Sequence, residues 1–198
     1  MKASEVNNFF GDMDLFLMDL ILKEKIPQNA QVLDVGCGEG RNGIYFIQNG
    51  YEYTGIDTDE SKLRLVEYLS RSITPAKARF KTQDLLQADS SKQYDFIICS
   101  RVLHFAESSA QFLKMWEKLK SLLRVGGGIY VSMDSVVDTQ IGKPLAEGKH
   151  EFPDTKTRFV LTEALYEVMK KGFEEIEPLR TWVQHNERAQ SFLILRKV

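Results

Sequence analysis

Between residues 31 and 133 the hydrophobic pattern changes period repeatedly, and this alternation constrains the fold of the 198-residue chain more than any other feature. Short apolar runs suited to buried strands occupy 31–35, 51–56, 79–82, 96–100 and 129–133. Between them lie helical segments. One spans 41–48 and is closed by Asn49 and Gly50, another runs from Thr58 and Asp59 to about residue 71, and a third carries the stripe Phe112, Trp116, Leu119 and Leu123 before the glycines at 126–128 stop it. Strands that alternate with helices pair in parallel through right-handed crossovers, so the pattern predicts an α/β fold with a doubly wound open sheet. Ligands of such sheets bind outside the carboxyl ends of the strands.

The alternation lapses over 134–158, a stretch long enough to carry function or mobility. A helix capped by Thr162 then runs to residue 171, followed by strand runs at 174–183 and 191–196. Only "QHNERAQ" separates these two runs, which is hairpin distance, so the last strand is expected to be antiparallel. Upstream, apolar residues from Phe9 to Ile26 fall nearly all round a helix that Pro27 ends, and such a helix must be covered. We expect one domain over 1–198, with an N-terminal lid helix at about 5–26, carrying Phe9, Phe10 and Phe16, and a substrate loop at about 135–158, carrying His150 and Phe152.

Composition excludes several classes. Lys and Arg number 26 against 28 Asp and Glu, a net charge of −2 that provides no basic field for nucleic acid or anionic lipid. The opening "MKASEVNNFF" lacks a signal-peptide pattern, and the most apolar stretch, 15–22, is interrupted by Asp19 and far too short for a membrane span. Two cysteines, Cys37 and Cys99, do not make a disulfide scaffold. The expected setting is the cytoplasm, with a small-molecule partner, no nucleic acid, no membrane, and a monomer or homodimer.

The first strand breaks into glycines in "VLDVGCGEGRNG". A glycine-rich turn before a helix attracts anions. The dinucleotide fingerprint, however, needs glycines at positions one, three and six, whereas here Gly36, Gly38 and Gly40 alternate and the sixth position is Arg41. No Gly-Lys-Ser or Gly-Lys-Thr follows, which excludes a P-loop. Asp34, just before the turn, repels a pyrophosphate and welcomes an ammonium. A ligand with a carboxylate for the helix N-terminus and an ammonium for Asp34 is an amino acid carried by something larger, a description that S-adenosylmethionine meets. Asp57, 21 residues after Gly36, is placed to accept hydrogen bonds from ribose hydroxyls. Asp84 is placed to accept from the adenine amino group, with Leu85 as an apolar wall. Thr58 and Ser100, at the ends of the second and fourth strands, complete the expected contacts. Cys37 contributes its backbone N–H, and Arg41 either meets the cofactor carboxylate or is solvated in the first turn of its helix.

Together "LDVGCGEGRN", "YEYTGID", "KTQDLL", "YDFIICSRVLHF" and "LLRVGGGIYVSMD" resemble the successive motifs of class I S-adenosylmethionine-dependent methyltransferases over roughly 30–134. The chain is most similar to small-molecule members of the tellurite-resistance-like and methyltransferase-domain type 11 or 12 kinds. The resemblance implies a Rossmann-like sheet of seven strands in the order 3-2-1-4-5-7-6, the last antiparallel and beside the fifth. It also implies S-adenosylmethionine as cofactor and S-adenosylhomocysteine as product. Val125 replaces a common proline at a turn. Ser100, Arg101, Val102 and Leu103 stand where members that methylate amino groups of nucleic acid and glutamine have Asn/Asp-Pro-Pro-Tyr/Phe, which disfavours those substrates.

His104, just past the fourth strand, is the candidate catalytic group, with packing as the competing role. His150 and His185 have no partners at ligand spacing, so no metal is expected. The alternative to an enzyme is a non-catalytic module that senses S-adenosylmethionine or a nucleotide.

Overall fold

A computed structural model describes residues 2, 10–71, 77–183 and 188–198. Phe9, His185 and the first part of the expected helix at 5–26 lie outside these residues. Five strands run parallel: β1 (Gln31–Val35), β2 (Glu52–Asp57), β3 (Arg79–Thr82), β4 (Tyr94–Ser100) and β5 (Leu123–Asp134). A small antiparallel hairpin, β6 (Lys149–Glu151) with β7 (Thr157–Phe159), stands apart. The strands β8 (Phe173–Val183) and β9 (Ala189–Lys197) complete the main sheet in the order β3-β2-β1-β4-β5-β9-β8, with β9 antiparallel to both neighbours. With the small hairpin set aside, this is the order the resemblance implied.

Alternation along each buried strand builds two cores. Val32, Phe96, Ile98 and Tyr130 face α1 (Leu15–Leu22) and α2 (Ile44–Gln48). Leu33, Ile97, Cys99 and Val131 face α4 (Ser109–Leu122) and α5 (Glu163–Met169). A strand covered on both faces shows no polar alternation, so these segments read as continuous apolar runs. The helix α3 (Glu60–Arg71) rests Leu63 and Val66 on Cys37 and Phe80. The side chain of Asp59 accepts from the N–H groups of Ser61 and Lys62 at 3.0 and 3.4 Å and so caps that helix, while Thr162 caps α5 by accepting from Leu165 N–H at 3.2 Å. Among the described residues no helix is long and apolar enough to cross a membrane.

Four of the differences from the sequence expectation have a visible physical reason or change the architecture. Helix α2 starts at Ile44 rather than at Arg41, because Gly43 N–H bonds Gly40 C=O at 2.8 Å and makes 40–43 a tight turn. The glycines at 126–128 do not stop α4, which ends at Leu122. They lie inside β5, where the ladder to β4 slips between Tyr94 and Phe96 and Gly128 packs under the Phe96 ring. The stretch at 134–158 is not structureless, since it folds as the β6–β7 hairpin with Phe152 buried. The regular part of the first helix is Leu15–Leu22, ending five residues before Pro27.

Candidate functional site

The carboxyl ends of β1, β2 and β4 open into a cleft of about 460 Å³. Gly36, Gly38, Asp57, Thr58 and Asp84 line it together with Ser100, Arg101, Val102 and Phe105. Six of the residues expected from sequence therefore meet there: Gly36, Gly38, Asp57, Thr58, Asp84 and Ser100. The other expected residues are placed elsewhere, for the reasons below.

The glycine turn serves packing as well as access. Gly36 holds φ +66°, and a methyl added there would lie 2.4 Å from Val102 Cγ2. One at Gly40 would lie 2.3 Å from Val66 Cγ2. Gly38, at φ +54°, has nothing within 4 Å of such a methyl, so of the three it alone leaves room for a side chain. We expect Gly36→Ala to lose about 2 kcal/mol of stability from left-handed strain plus the clash, and Val102→Ala in that background to restore the clash share, as read by urea denaturation of both variants.

Asp57 organises this turn. One carboxylate oxygen accepts from Gly38 N–H at 2.8 Å and the other from Asp59 N–H at 2.9 Å, while Gly36 N–H and Cys37 N–H both reach Ile56 C=O. The Cys37 thiol is buried, and desolvation pushes its pKa upward, so it is an inert packing group. Asp84 uses one oxygen to cap the turn Leu85–Gln87, accepting from Leu86 N–H at 2.7 Å, and Leu85 is buried in the core beneath.

Asp34 does not line the cleft. It is 2% exposed, on the α1 and α2 side of the sheet, and accepts from the Tyr53 hydroxyl at 2.8 Å. Burial raises its pKa to about 7, partly opposed by the Tyr53 bond. Nor does Arg41 lie free at a helix terminus. Its guanidinium is 2.6 Å from Asp14, and it donates to Asp12 C=O at 3.3 Å.

His104 is fully buried, behind the cleft wall rather than in it. Its Nδ1 lies 3.1 Å from Asp134 Oδ2, and its ring meets Phe105 edge-on at 4.1 Å. Desolvation lowers the imidazole pKa against the opposing pull of Asp134. Burial raises the Asp134 pKa, but His104, Arg101 and Arg188 outweigh it and hold that carboxylate below its usual range. Arg188 reaches Asp134 at 3.6 Å and Phe152 at 5.0 Å, and Arg158 lies over both Phe152 and Phe105. These contacts tie the 135–158 excursion to the end of β4. His150 is buried with Nδ1 3.0 Å from Gly142 O, and among the described residues no group of three or more His, Cys, Asp or Glu is placed to hold a metal.

Sequence reasoning missed Asp14, Arg101 and Phe105. Arg101 and Phe105 carried a signal, since both follow a strand expected to end at the ligand edge. Asp14 carried none, because its part in the site depends on how α1 packs across the sheet.

Residues 33–129 match a protein family described as a methyltransferase domain. An uncharacterized protein of Methanocaldococcus jannaschii is 32% identical over 117 residues, covering 58% of this chain and 31% of that protein. The probable S-adenosyl-L-methionine-dependent methyltransferase TehB of Haemophilus influenzae is 29% identical over 111 residues, covering 55% of this chain and 37% of that one. The chain thus spans about a third of the length of these curated relatives. The crystal structure of the 1,6-didemethyltoxoflavin-N1-methyltransferase of Burkholderia thailandensis, with bound 1,6-didemethyltoxoflavin and S-adenosylhomocysteine, superposes with a TM-score of 0.75 at 18% identity, covering 98% of this chain and 82% of that one.

Proposed function

We propose that the chain is a class I S-adenosylmethionine-dependent methyltransferase, a reading supported by the methyltransferase-domain match at residues 33–129, and that it transfers a methyl group from S-adenosylmethionine to a nucleophilic heteroatom of a small molecule, leaving S-adenosylhomocysteine. The observation that carries this reading is Asp57 at the mouth of the cleft, holding the Gly38 amide beside open space. The bare backbone admits a bulky ligand, and a carboxylate suits ribose hydroxyls while repelling phosphate. When bound there, the cofactor supplies an electrophilic methyl carbon whose bond to sulfur breaks as the acceptor's lone pair attacks, the sulfur keeping the electron pair.

In this reading Asp57 accepts from the ribose hydroxyls, Asp84 from the adenine amino group, and the backbone at Gly36 and Gly38 lets the nucleoside lie against the turn. The protein's share of the rate is then alignment and exclusion of water. His104 acts as a positioning residue, bracing the Phe105 ring at the acceptor end, and an acceptor that arrives as an anion needs no base. The N-terminal segment and the 135–158 excursion bound the acceptor side of what we take to be a single methyltransferase domain working in the cytoplasm.

The test is calorimetric titration with S-adenosylmethionine and S-adenosylhomocysteine, followed by an assay for S-adenosylhomocysteine release over a panel of thiol, chalcogen-anion, amine and hydroxyl acceptors. Micromolar binding and acceptor-dependent release are expected. Binding with no release from any acceptor would favour a sensor, and no binding would remove the assignment.

A further inference from the structure

The amino edge of the sheet, opposite the cleft, carries a second cavity of about 360 Å³. It forms where the chain enters β1, β4 and β5 and where the antiparallel β9 ends. Strand β4 is 7 residues long, so at about 3.3 Å per residue roughly 20 Å separate the two cavities. Three cations, Lys25, Arg124 and Arg196, line the second one. Its one carboxylate among the described residues, Asp95, is used on both oxygens, by the Arg124 guanidinium at 2.5 Å and by Gln31 N–H at 2.8 Å. Arg124 also donates to Gln31 Oε1 at 3.1 Å, which fixes that guanidinium. Acids on neighbouring strands leave the other two cations alone. Glu177 meets Lys23 and Arg180, and Glu174 stands opposite Arg196 in the β8–β9 ladder without pairing with it. Among the described residues Lys25 and Arg196 therefore make no ion pair and no side-chain hydrogen bond. Three cations less one carboxylate leave a net charge of +2 at this recess.

A lone surface cation is simply solvated, but an arginine fork and a lysine lining one recess match a doubly charged anion. The backbone leaves access to it. Residues 124–127 have no register partner in either ladder of β5, and Gly126, at φ +79°, leaves room for a side chain. Pro27, Val125 and Ile176 add apolar walls, and the volume is that of a small-molecule pocket, larger than an inorganic ion needs.

We propose that this cavity binds the phosphate monoester group of a small soluble molecule, Arg196 taking the phosphate oxygens through its forked N–H donors and Lys25 supplying the second positive charge. Arg124, held by Asp95 and Gln31, is the fixed wall. The site is separate from the cleft and does not depend on the methyltransferase reading.

The test is calorimetric titration of the full chain at low ionic strength with phenyl phosphate, inorganic phosphate and phenol, beside cosedimentation with phosphatidylcholine vesicles that contain phosphatidic acid, whose headgroup carries the same monoester. Wild type is compared with Lys25→Gln, Arg196→Gln and Arg64→Gln, the last removing an equal charge from an exposed position on α3. Phenyl phosphate is expected to bind saturably at one site and more tightly than inorganic phosphate, with no heat from phenol. Lys25→Gln and Arg196→Gln are each expected to weaken it at least about tenfold, and Arg64→Gln by no more than about twofold. The Gly126 amide resonance should move with phenyl phosphate and stay in place with S-adenosylhomocysteine. No saturable binding of either phosphate probe overturns the proposal. So does equal weakening in all three variants, which means diffuse attraction, or displacement of phenyl phosphate by S-adenosylhomocysteine, which puts the probe in the cleft. Vesicle binding without phenyl phosphate binding overturns the soluble ligand in favour of a lipid surface. Neither Lys25 nor Arg196 has a side-chain partner to lose, and should one variant fail to fold the other decides.

Discussion

Asp34→Asn is expected to gain stability on the wild-type chain steadily from pH 4 to pH 7. The folded carboxyl holds its proton up to about pH 7 because it is buried under α1 and α2, whereas in the unfolded chain it ionises near its ordinary value of 3.8. Below that value both states are protonated and the folded state keeps the full benefit. As pH rises, the unfolded chain releases the proton first, and the benefit is lost through the window from about 4 to 7. The interval between the two values corresponds to about 4 kcal/mol. Several surface carboxyls, among them Asp59, Asp89 and Asp154, have lowered pKa values and shift stability in the opposite sense. The difference between wild type and Asp34→Asn isolates the buried group, because the amide still accepts from Tyr53 and cannot ionise. Urea denaturation midpoints at four pH values between 4.5 and 7.5 measure it. A difference that stays constant across the series would mean that Asp34 is ionised in the folded chain at all of them.

The second large effect is on ligand affinity. Asp57→Ala removes the proposed acceptor for both ribose hydroxyls and also frees the amides of Gly38 and Asp59, which it holds at 2.8 and 2.9 Å. Bonds to a charged group contribute about 1.5–3 kcal/mol each, so losing them together weakens S-adenosylhomocysteine by about 100-fold or more. Because Asp57 addresses the ribose, 5′-methylthioadenosine, which keeps the nucleoside and thioether but lacks the amino-acid group, falls in parallel. A Kd within threefold of wild type for Asp57→Ala would remove Asp57 from the site and leave it as an organiser of the turn.

Much of this was readable before any coordinates. The bounds of β1 and β3 and the caps at Asp59 and Thr162 follow from local rules, since a buried strand and a helix start each leave their mark within a few residues. The convergence of Gly36, Gly38, Asp57, Asp84 and Ser100 was also legible, because parallel strands deliver their carboxyl ends to one edge. Asp34 shows where such reasoning ends. Its position along β1 was evident, but the face it points to depends on register, and one step of a two-residue period separates the cleft side from Tyr53. The turn at 40–43 and the slip within β5 were hidden because a glycine that breaks a helix and a glycine that yields to a neighbouring ring look alike in sequence. His104 was placed correctly along the chain, yet its burial against Asp134 depends on the excursion folding back over it, a contact between segments some 30 residues apart or more.

The position of β9 between β5 and β8 has a consequence for assembly. Strand β8 is synthesised before β9 but has no partner in the sheet until β9 exists, and the edge of β5 stays open for the same interval. Nascent β8 must therefore wait, unpaired, and then dock with β9 as a ready-made hairpin against an apolar edge that includes Ile129, Val131 and Met133. Sheets closed by such a late, long-range pairing fold slowly and expose sticky edges while they do so. Chaperone dependence and aggregation during expression are thus expected to track substitutions in β8 and β9 more closely than substitutions in the glycine turn.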